Sequence, residues 1–323
     1  MKTLRKALLI VAAPLFVLNT ASAQGAYPDR PIKIVVPFAP GGIADSTARL
    51  IASELSNNLG QPVIVENRPG GAAIIGTQLV AKAPGDGYTL LMATTNVSTN
   101  PALYKKLPYD ADKDLIPVAL AVTIPGAIVV PPSLPVKNFN ELVSYAKQNP
   151  EKISYASVGL GSFSHLAVEG MAQRTSTKMV HIPYKGYAPA ITSVLSDETH
   201  LLASDVQGAL PYLRTGRLKA LAVTGVKRVA VLPEVPTLHE LGIKDYQAVG
   251  WLGLMAPAGT PAQIISLLNS EVNKVMRKPA AVQRYTEQGV DVFSGDPSAF
   301  RKFLDENRVG WEKVIKTANI SLD

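Results

Sequence analysis

Ile32-Lys33-Ile34-Val35-Val36-Pro37-Phe38-Ala39-Pro40-Gly41-Gly42-Ile43-Ala44-Asp45 is the stretch on which the reading of this 323-residue chain turns. Its first five residues form a short apolar run of the kind buried in a parallel sheet. Over 45–59, Ala48, Ile51, Ala52 and Leu55 recur at helical spacing, and Gly60 supplies the stop. A strand that passes through a Pro- and Gly-rich turn into a helix is the opening of a βαβ unit. Two glycines at a strand's carboxyl end let the backbone approach a ligand closely, and free N–H groups face outward from the helix start. That geometry favours a carboxylate or phosphate at the edge of an open α/β sheet. Asp45 reads first as the helix N-cap and second as a ligand contact. No Gly-Lys-Ser/Thr follows the glycines, which excludes a Walker phosphate loop.

The same alternation continues outward from this unit. Short β-rich runs fall at 63–66, 88–93, 127–130, 153–156, 178–182, 200–203 and 218–223. Helical patterns fall at 72–83, 139–148, 163–174, 189–195 and 206–214, and Asn138 with Glu141 forms a capping pair for the second of these. The last third is helix-heavy, with apolar residues at helical spacing over 262–276 and 297–317. The pattern predicts an α/β fold of mixed sheets flanked by helices, with no repeat of solenoid period. The length fits two units rather than one. Two Pro/Gly-rich neighbourhoods, Ile124-Pro125-Gly126 and Gly250-Trp251-Leu252-Gly253, mark where the chain crosses between them. One lobe is then 24–126 plus 252–323 and the other 127–251, a hinge suited to closing on a ligand. The alternative is one large sheet without a cleft.

Composition narrows the function classes. A 47% hydrophobic chain is no disordered segment, because it can bury enough apolar surface to offset the entropy of ordering. With no cysteine there is no disulfide framework, thiolate metal site, cysteine nucleophile or lipid-anchoring cysteine. Residues 1–23 read as a signal peptide: Lys2, Arg5 and Lys6 precede an apolar run at 7–18, and Ala21-Ser22-Ala23 gives a small-x-small cleavage site after Ala23. The apolar run is too short to span a bilayer. The leader accounts for three of the seven excess positive charges, leaving +4 on an exported chain. The remaining basic residues are scattered, without the aromatic-basic stripe of a single-strand binder, so nucleic acid is not a partner.

Three further loops carry candidate chemistry. Ser157-Val158-Gly159-Leu160-Gly161-Ser162-Phe163-Ser164-His165 again joins a strand to a helix. It lacks the third glycine and the downstream acid of a dinucleotide fingerprint. Ser162 reads as an N-cap that can also offer its hydroxyl or N–H to an anion, and His165 as a further hydrogen-bond partner. Asp205, between a strand and a helix, is either an N-cap or a carboxylate facing a cleft. Thr94, Thr95 and Asn96 end another strand and offer neutral donors. Enzyme signatures are poor. His165, His181, His200 and His239 never fall at zinc spacing, no Gly-x-Ser-x-Gly elbow exists, and Ser164 beside His165 is no triad. No catalytic residue, metal site or cofactor is expected.

Several strings together resemble the substrate-binding proteins of the tripartite tricarboxylate transporters, the Bug or TctC family. They are Tyr27-Pro28-Asp29-Arg30-Pro31 running into the opening stretch, Val65-Glu66-Asn67-Arg68-Pro69-Gly70-Gly71-Ala72, Ala83-Pro84-Gly85-Asp86-Gly87-Tyr88-Thr89-Leu90, Pro183-Tyr184-Lys185-Gly186, Leu221-Ala222-Val223-Thr224 and Pro233-Glu234-Val235-Pro236-Thr237. The resemblance implies a two-lobed, type II periplasmic binding protein, a monomer. It would close on a small organic acid and deliver it to a membrane permease of one large and one small subunit. The acid would be a di- or tricarboxylate, an aromatic acid, an acidic amino acid or a nicotinate-like compound. Carried over residue by residue, the resemblance points to Phe38, Gly41, Gly42 and Asp45 with Thr94 and Asn96 from one lobe. From the other it points to Gly161, Ser162, His165 and Asp205. His200-Leu201-Leu202-Ala203-Ser204-Asp205 departs from the family pattern next to that last residue. A binder that feeds a sensor kinase, or an exported α/β hydrolase, are the competing readings.

Overall fold

The computed structural model describes residues 27–244 and 246–322, so the signal peptide read at 1–23 lies outside the described residues. The opening stretch folds as read. β1 (Ile32–Val36) is almost entirely buried and lies between β2 (Val63–Asn67) and β3 (Thr89–Thr94), parallel to both. α1 (Ile43–Leu59) buries Ala48, Ile51, Ala52 and Leu55 against it and ends on Gly60 in the left-handed region. α2 (Ile74–Ala81) and α3 (Asn96–Leu103) flank the same sheet.

The organising element is β4 (Leu115–Val130), a 16-residue strand. Its first part pairs antiparallel with β9 (Val249–Pro257), and β9 pairs antiparallel with β3, which completes a first, mixed sheet. The pairing with β9 ends at Pro125 opposite Val249. From Gly126 onward β4 pairs with β7 (Leu201–Asp205) on one side and β8 (Lys219–Val223) on the other. β5 (Ser154–Ser157) and β6 (Val180–Pro183) extend this second sheet in parallel. The strand order is β2-β1-β3-β9-β4-β7-β5-β6. The expected α/β architecture of two lobes with mixed sheets flanked by helices is what the chain adopts.

The second sheet is covered by α4 (Phe139–Gln148), α5 (Phe163–Thr175), α6 (Tyr187–Leu195) and α7 (Val206–Arg214). α4 opens with the predicted pair, Asn138 accepting from the Glu141 N–H. α8 (Ala262–Met276) packs on β4 and α1, and α9 (Pro279–Glu287) leads to β10 (Asp291–Val292) beside β4.

α10 (Pro297–Thr317) then runs across both sheets. Phe300 and Leu304 join a cluster with Val35, Leu91, Trp251 and Met255. Trp311, Val314 and Ile315 join another with Ile128, Tyr155, Leu166 and Met171. Gly253 is what lets α10 sit so close: a Cβ there would overlap the Phe300 ring and stand 3.0 Å from the Ala119 carbonyl. Beyond α10 the chain returns to α3, where the Leu322 N–H donates to the Leu103 carbonyl at 2.9 Å.

Candidate functional site

The two glycine-bearing turns, after β1 and after β5, open onto one cavity of about 600 Å³. Its walls carry Phe38, Gly42, Ile43, Ala44 and Asp45 from the first turn and Val158, Gly159, Leu160, Gly161, Ser162 and Phe163 from the second. Thr94, Thr95 and Asn96 come from the turn after β3, with Leu103 further along α3. Ile124, Gly250, Trp251 and Leu252, where β4 and β9 run side by side, lie at its back. Parallel strands that end at one edge bring their turns together, so residues far apart in sequence meet there.

The first turn differs from the sequence reading in one respect. Asp45 is not the N-cap: that position falls three residues earlier, on Gly42, which has no side-chain cap. The N–H groups of Ile43 and Ala44 begin the helix and have no intrahelical carbonyl to meet. Gly41, at φ +97°, makes the turn and lies just outside the walls. Asp45 is instead the hub that shapes this loop. It accepts from the Gly41 N–H at 3.0 Å, from Asn67 Nδ2 at 2.9 Å and from Arg49 Nε and Nη2, each at 3.0 Å. The Arg49 guanidinium holds the Asp45 carboxyl down to about 2, against the opposing effect of burial. Asp45 is the one carboxylate among the described walls, and Arg49 neutralises it. An anion therefore meets the positive end of α1 and no bare negative charge. Asn67 also donates to the Phe38 carbonyl at 3.1 Å, a support that sequence reasoning missed although its Glu-Asn-Arg-Pro string had been singled out.

In the second turn Ser162 caps α5 as read, accepting from the His165 N–H at 3.4 Å. Its donors are spent inside the turn: both its hydroxyl and its N–H go to the Gly159 carbonyl, at 2.6 and 3.2 Å. Gly161 lies at the wall with φ +72°. Thr94 Oγ1 donates to Asn96 Oδ1 at 3.1 Å across the third turn.

His165 and Asp205 are not brought to the cavity. His165 sits one helical turn behind the loop, 4% exposed, where its Nδ1 accepts from the Gly161 N–H at 3.0 Å. Its ring stacks on His181 at 3.9 Å, and His181 on Tyr155 at 5.0 Å. Burial, reinforced by His181, pulls its pKa down to about 3. Asp205 ends β7, paired with Gly126 of β4, and caps α7 by accepting from the Gly208 N–H at 2.6 Å. Burial pushes its carboxyl up. Both residues took the plain structural role because a side chain at a helix start reaches its own backbone first.

The buried histidine has a measurable consequence. A His whose folded pKa lies below its unfolded value stabilises nothing extra above about 6.5. As pH falls towards 3 the unfolded chain takes up the proton first, so stability is lost across that window. The urea midpoint should drop between pH 7 and pH 4, and His165→Asn, which retains an acceptor towards Gly161, should flatten the drop. Parallel curves for the two proteins would contradict this assignment.

Sequence reasoning also missed the apolar walls. Leu103, Phe163, Trp251, Trp311 and Leu322 line the cavity, and from spacing alone Trp311 looked like ordinary helix core. Among the described residues no cluster of three or more His, Asp or Glu is placed to hold a metal ion, and no helix is long and apolar enough to cross a membrane.

Comparison with known proteins places this cavity in context. A family profile described as tripartite tricarboxylate transporter family receptor matches residues 47–320. BugT of Bordetella pertussis is 35% identical over 298 residues, covering 92% of this chain and 91% of that protein. Rpa4515 of R. palustris, solved with adipate, is 35% identical with a TM-score of 0.79, covering 92% of this chain and 100% of that one. MatC of Rhodopseudomonas palustris, solved with bound malate, is 32% identical with a TM-score of 0.74, covering 90% and 100%.

Proposed function

This chain belongs to the tripartite tricarboxylate transporter receptor family, Bug proteins included, and we propose that it captures a small organic carboxylate between its lobes for delivery to a membrane permease. The family is one of solute-binding receptors, not enzymes. The observation that carries the reading is the pair of strand-to-helix turns facing one cavity, the first opening α1 on a glycine with no side-chain cap. Helix starts can hold a carboxylate through backbone N–H groups without a lysine or arginine clamp. Relatives solved with adipate and with malate support a carboxylate here.

In this reading the N–H groups at Gly42, Ile43 and Ala44 meet the carboxylate. Phe38, Gly41 and Asp45 set the turn, Thr94 and Asn96 supply neutral polar groups, and Gly161 and Ser162 form the opposing edge. His165 acts behind Gly161, and Asp205 remains a cap. The lobes are 24–126 with 252–323, and 127–251, joined where β4 passes from β9 to β7 and β8. Closure follows from one ligand touching both. The protein is exported to the periplasm as a monomer, and the permease has one large and one small subunit.

A thermal-shift screen of organic acids on the chain from Gln24 tests this. An acid at a hundredfold its dissociation constant should add about 2.7 kcal/mol of stability, and no shift with any acid would sink the reading. Gly41→Val should weaken binding more than Lys185→Ala. A Cβ at Gly41 meets nothing within 4 Å, so its cost is purely the strain of a β-branched residue at positive φ. Lys185 lies exposed and is not one of the wall residues. Calorimetry giving the reverse order would show that side-chain charge holds the ligand.

A further inference from the structure

The two glycine-bearing turns that face the cavity both join a strand to a helix, and they differ in where their N–H groups go. The first opens α1 on Gly42, and no side chain occupies the helix start. In the second, Ser162 fills that place, its Oγ accepting from the His165 N–H where an anion's oxygen would otherwise sit. The rest of this turn is tied inward as well. The Val158 N–H goes to Ser164 Oγ at 2.9 Å, that of Gly159 to Ser157 Oγ at 3.2 Å and that of Gly161 to His165 Nδ1 at 3.0 Å. The side chains that the second turn presents to the cavity are apolar: Val158, Phe163 and Leu160, the last 49% exposed. Leu322 adds to that surface, its Cδ1 3.1 Å from where a Cβ on Gly161 would stand.

The neutral polar groups of the walls lie with the first turn. Thr94, Thr95 and Asn96 follow β3, which runs parallel to β1 and ends at the same edge. No lysine or arginine stands among the described walls, and their single acid, Asp45, is paired with Arg49. The cavity therefore has one end suited to a charge and one without. A second carboxylate reaching the second turn would give up its water for valine, leucine and phenylalanine side chains, with no cation to offset the loss. An ammonium group would find no free carboxylate. Resting on the carboxylate reading above, we propose that the second turn is the apolar end of the site and that this chain selects monocarboxylates with an apolar body over diacids and amino acids of the same skeleton. Its volume, about 600 Å³, leaves room for a ring or a branched chain. Leu160, the most exposed of the three side chains, meets the far end of the ligand. This selectivity sets the chain apart from the relatives solved with adipate and with malate.

The test is calorimetry on the wild-type protein with matched sets: benzoate against benzene-1,4-dicarboxylate, hexanoate against hexanedioate, and 3-phenylpropanoate against phenylalanine. In the best-bound set the monoacid should be favoured about tenfold or more, the cost of burying an unpaired charged group. Leu160→Lys puts a cation at the apolar end from an exposed position, and should turn the order towards the diacid. Leu160→Ala, which adds no charge, should keep the wild-type order. A wild-type protein that binds the diacid or the amino acid as tightly as the monoacid overturns the proposal while the carboxylate reading stands. An unchanged ratio in Leu160→Lys overturns it too, because the far end of the ligand then lies elsewhere. If no acid binds the wild-type protein, the carboxylate reading falls and this inference with it.

Discussion

Valine in place of Gly161 is expected to cost on the order of a hundredfold in ligand affinity while the protein still folds. Gly161 holds φ +72°, where a β-branched residue carries strain on the order of 1–3 kcal/mol. Its new Cβ would lie 3.0 to 3.2 Å from Leu103 and Leu322, and the γ-methyl groups would reach further into the walls. Overpacking of that kind costs a further 1–3 kcal/mol or so. At roughly 1.4 kcal/mol per decade, the two together amount to at least about thirtyfold, and to several hundredfold at mid-range, if the turn moves to escape them. The Gly161 N–H would also leave its bond to His165. Gly216→Val is the control. Gly216 has a similar φ of +68°, nothing within 4 Å of an added Cβ and no place in the cavity walls. It should lose stability but keep full affinity. Calorimetry with any acid found in the screen decides, and wild-type affinity in Gly161→Val would show that the second turn does not form the site.

The largest loss of stability is expected from Trp251→Ala, about 3–5 kcal/mol as for other buried aromatic truncations. Trp251 is 1% exposed and meets Phe300 and Phe303 edge-on at 5.5 and 6.2 Å. Its indole reaches Asn307, and its backbone N–H donates to Thr95 Oγ1 at 3.2 Å. The side chain thus ties β9 to α10, while the backbone N–H holds the turn after β3 and survives truncation. Trp251→Phe should cost clearly less, because the ring contacts survive and the half-buried Asn307 can be hydrated. Urea midpoints at constant slope measure both. A loss below 1 kcal/mol in the alanine variant would mean that α10 is seated by other contacts.

How much of this was legible follows from where the signal was local. β1, α1 and α8 carry their periodicity openly, and Asn138 with Glu141 announces α4. β9 was hidden because Gly250 and Gly253 read as breakers, although Gly253 is there to admit Phe300. The first half of β4 was hidden by Pro117 and Pro125. The structure accommodates them where the register shifts and where the strand changes partner. α3 was obscured by Pro101. At the site, the glycine turns were legible because they obey backbone chemistry. His165 and Asp205 were not, because each satisfies its own helix start, and no spacing rule distinguishes a cap from a contact. Asp45 does line the cavity, but its bonds to Gly41, Arg49 and Asn67 leave no trace in spacing. Trp311 was invisible for a different reason: helical periodicity shows that a residue is buried, not that it lines a cavity.

The path of α10 bears on the order in which this protein can take shape. Residues 127–248 hold every strand of the second sheet, yet its interior is finished by Trp311, Val314 and Ile315, and by Leu322 on Leu103. The first sheet waits in the same way for β9 to fill the gap between β3 and β4. A chain emerging N-terminus first therefore passes through a long interval in which neither half is complete, since both need segments made late. Both halves are therefore completed by the same late segments, β9 and α10, and neither sheet has a finished interior of its own without them.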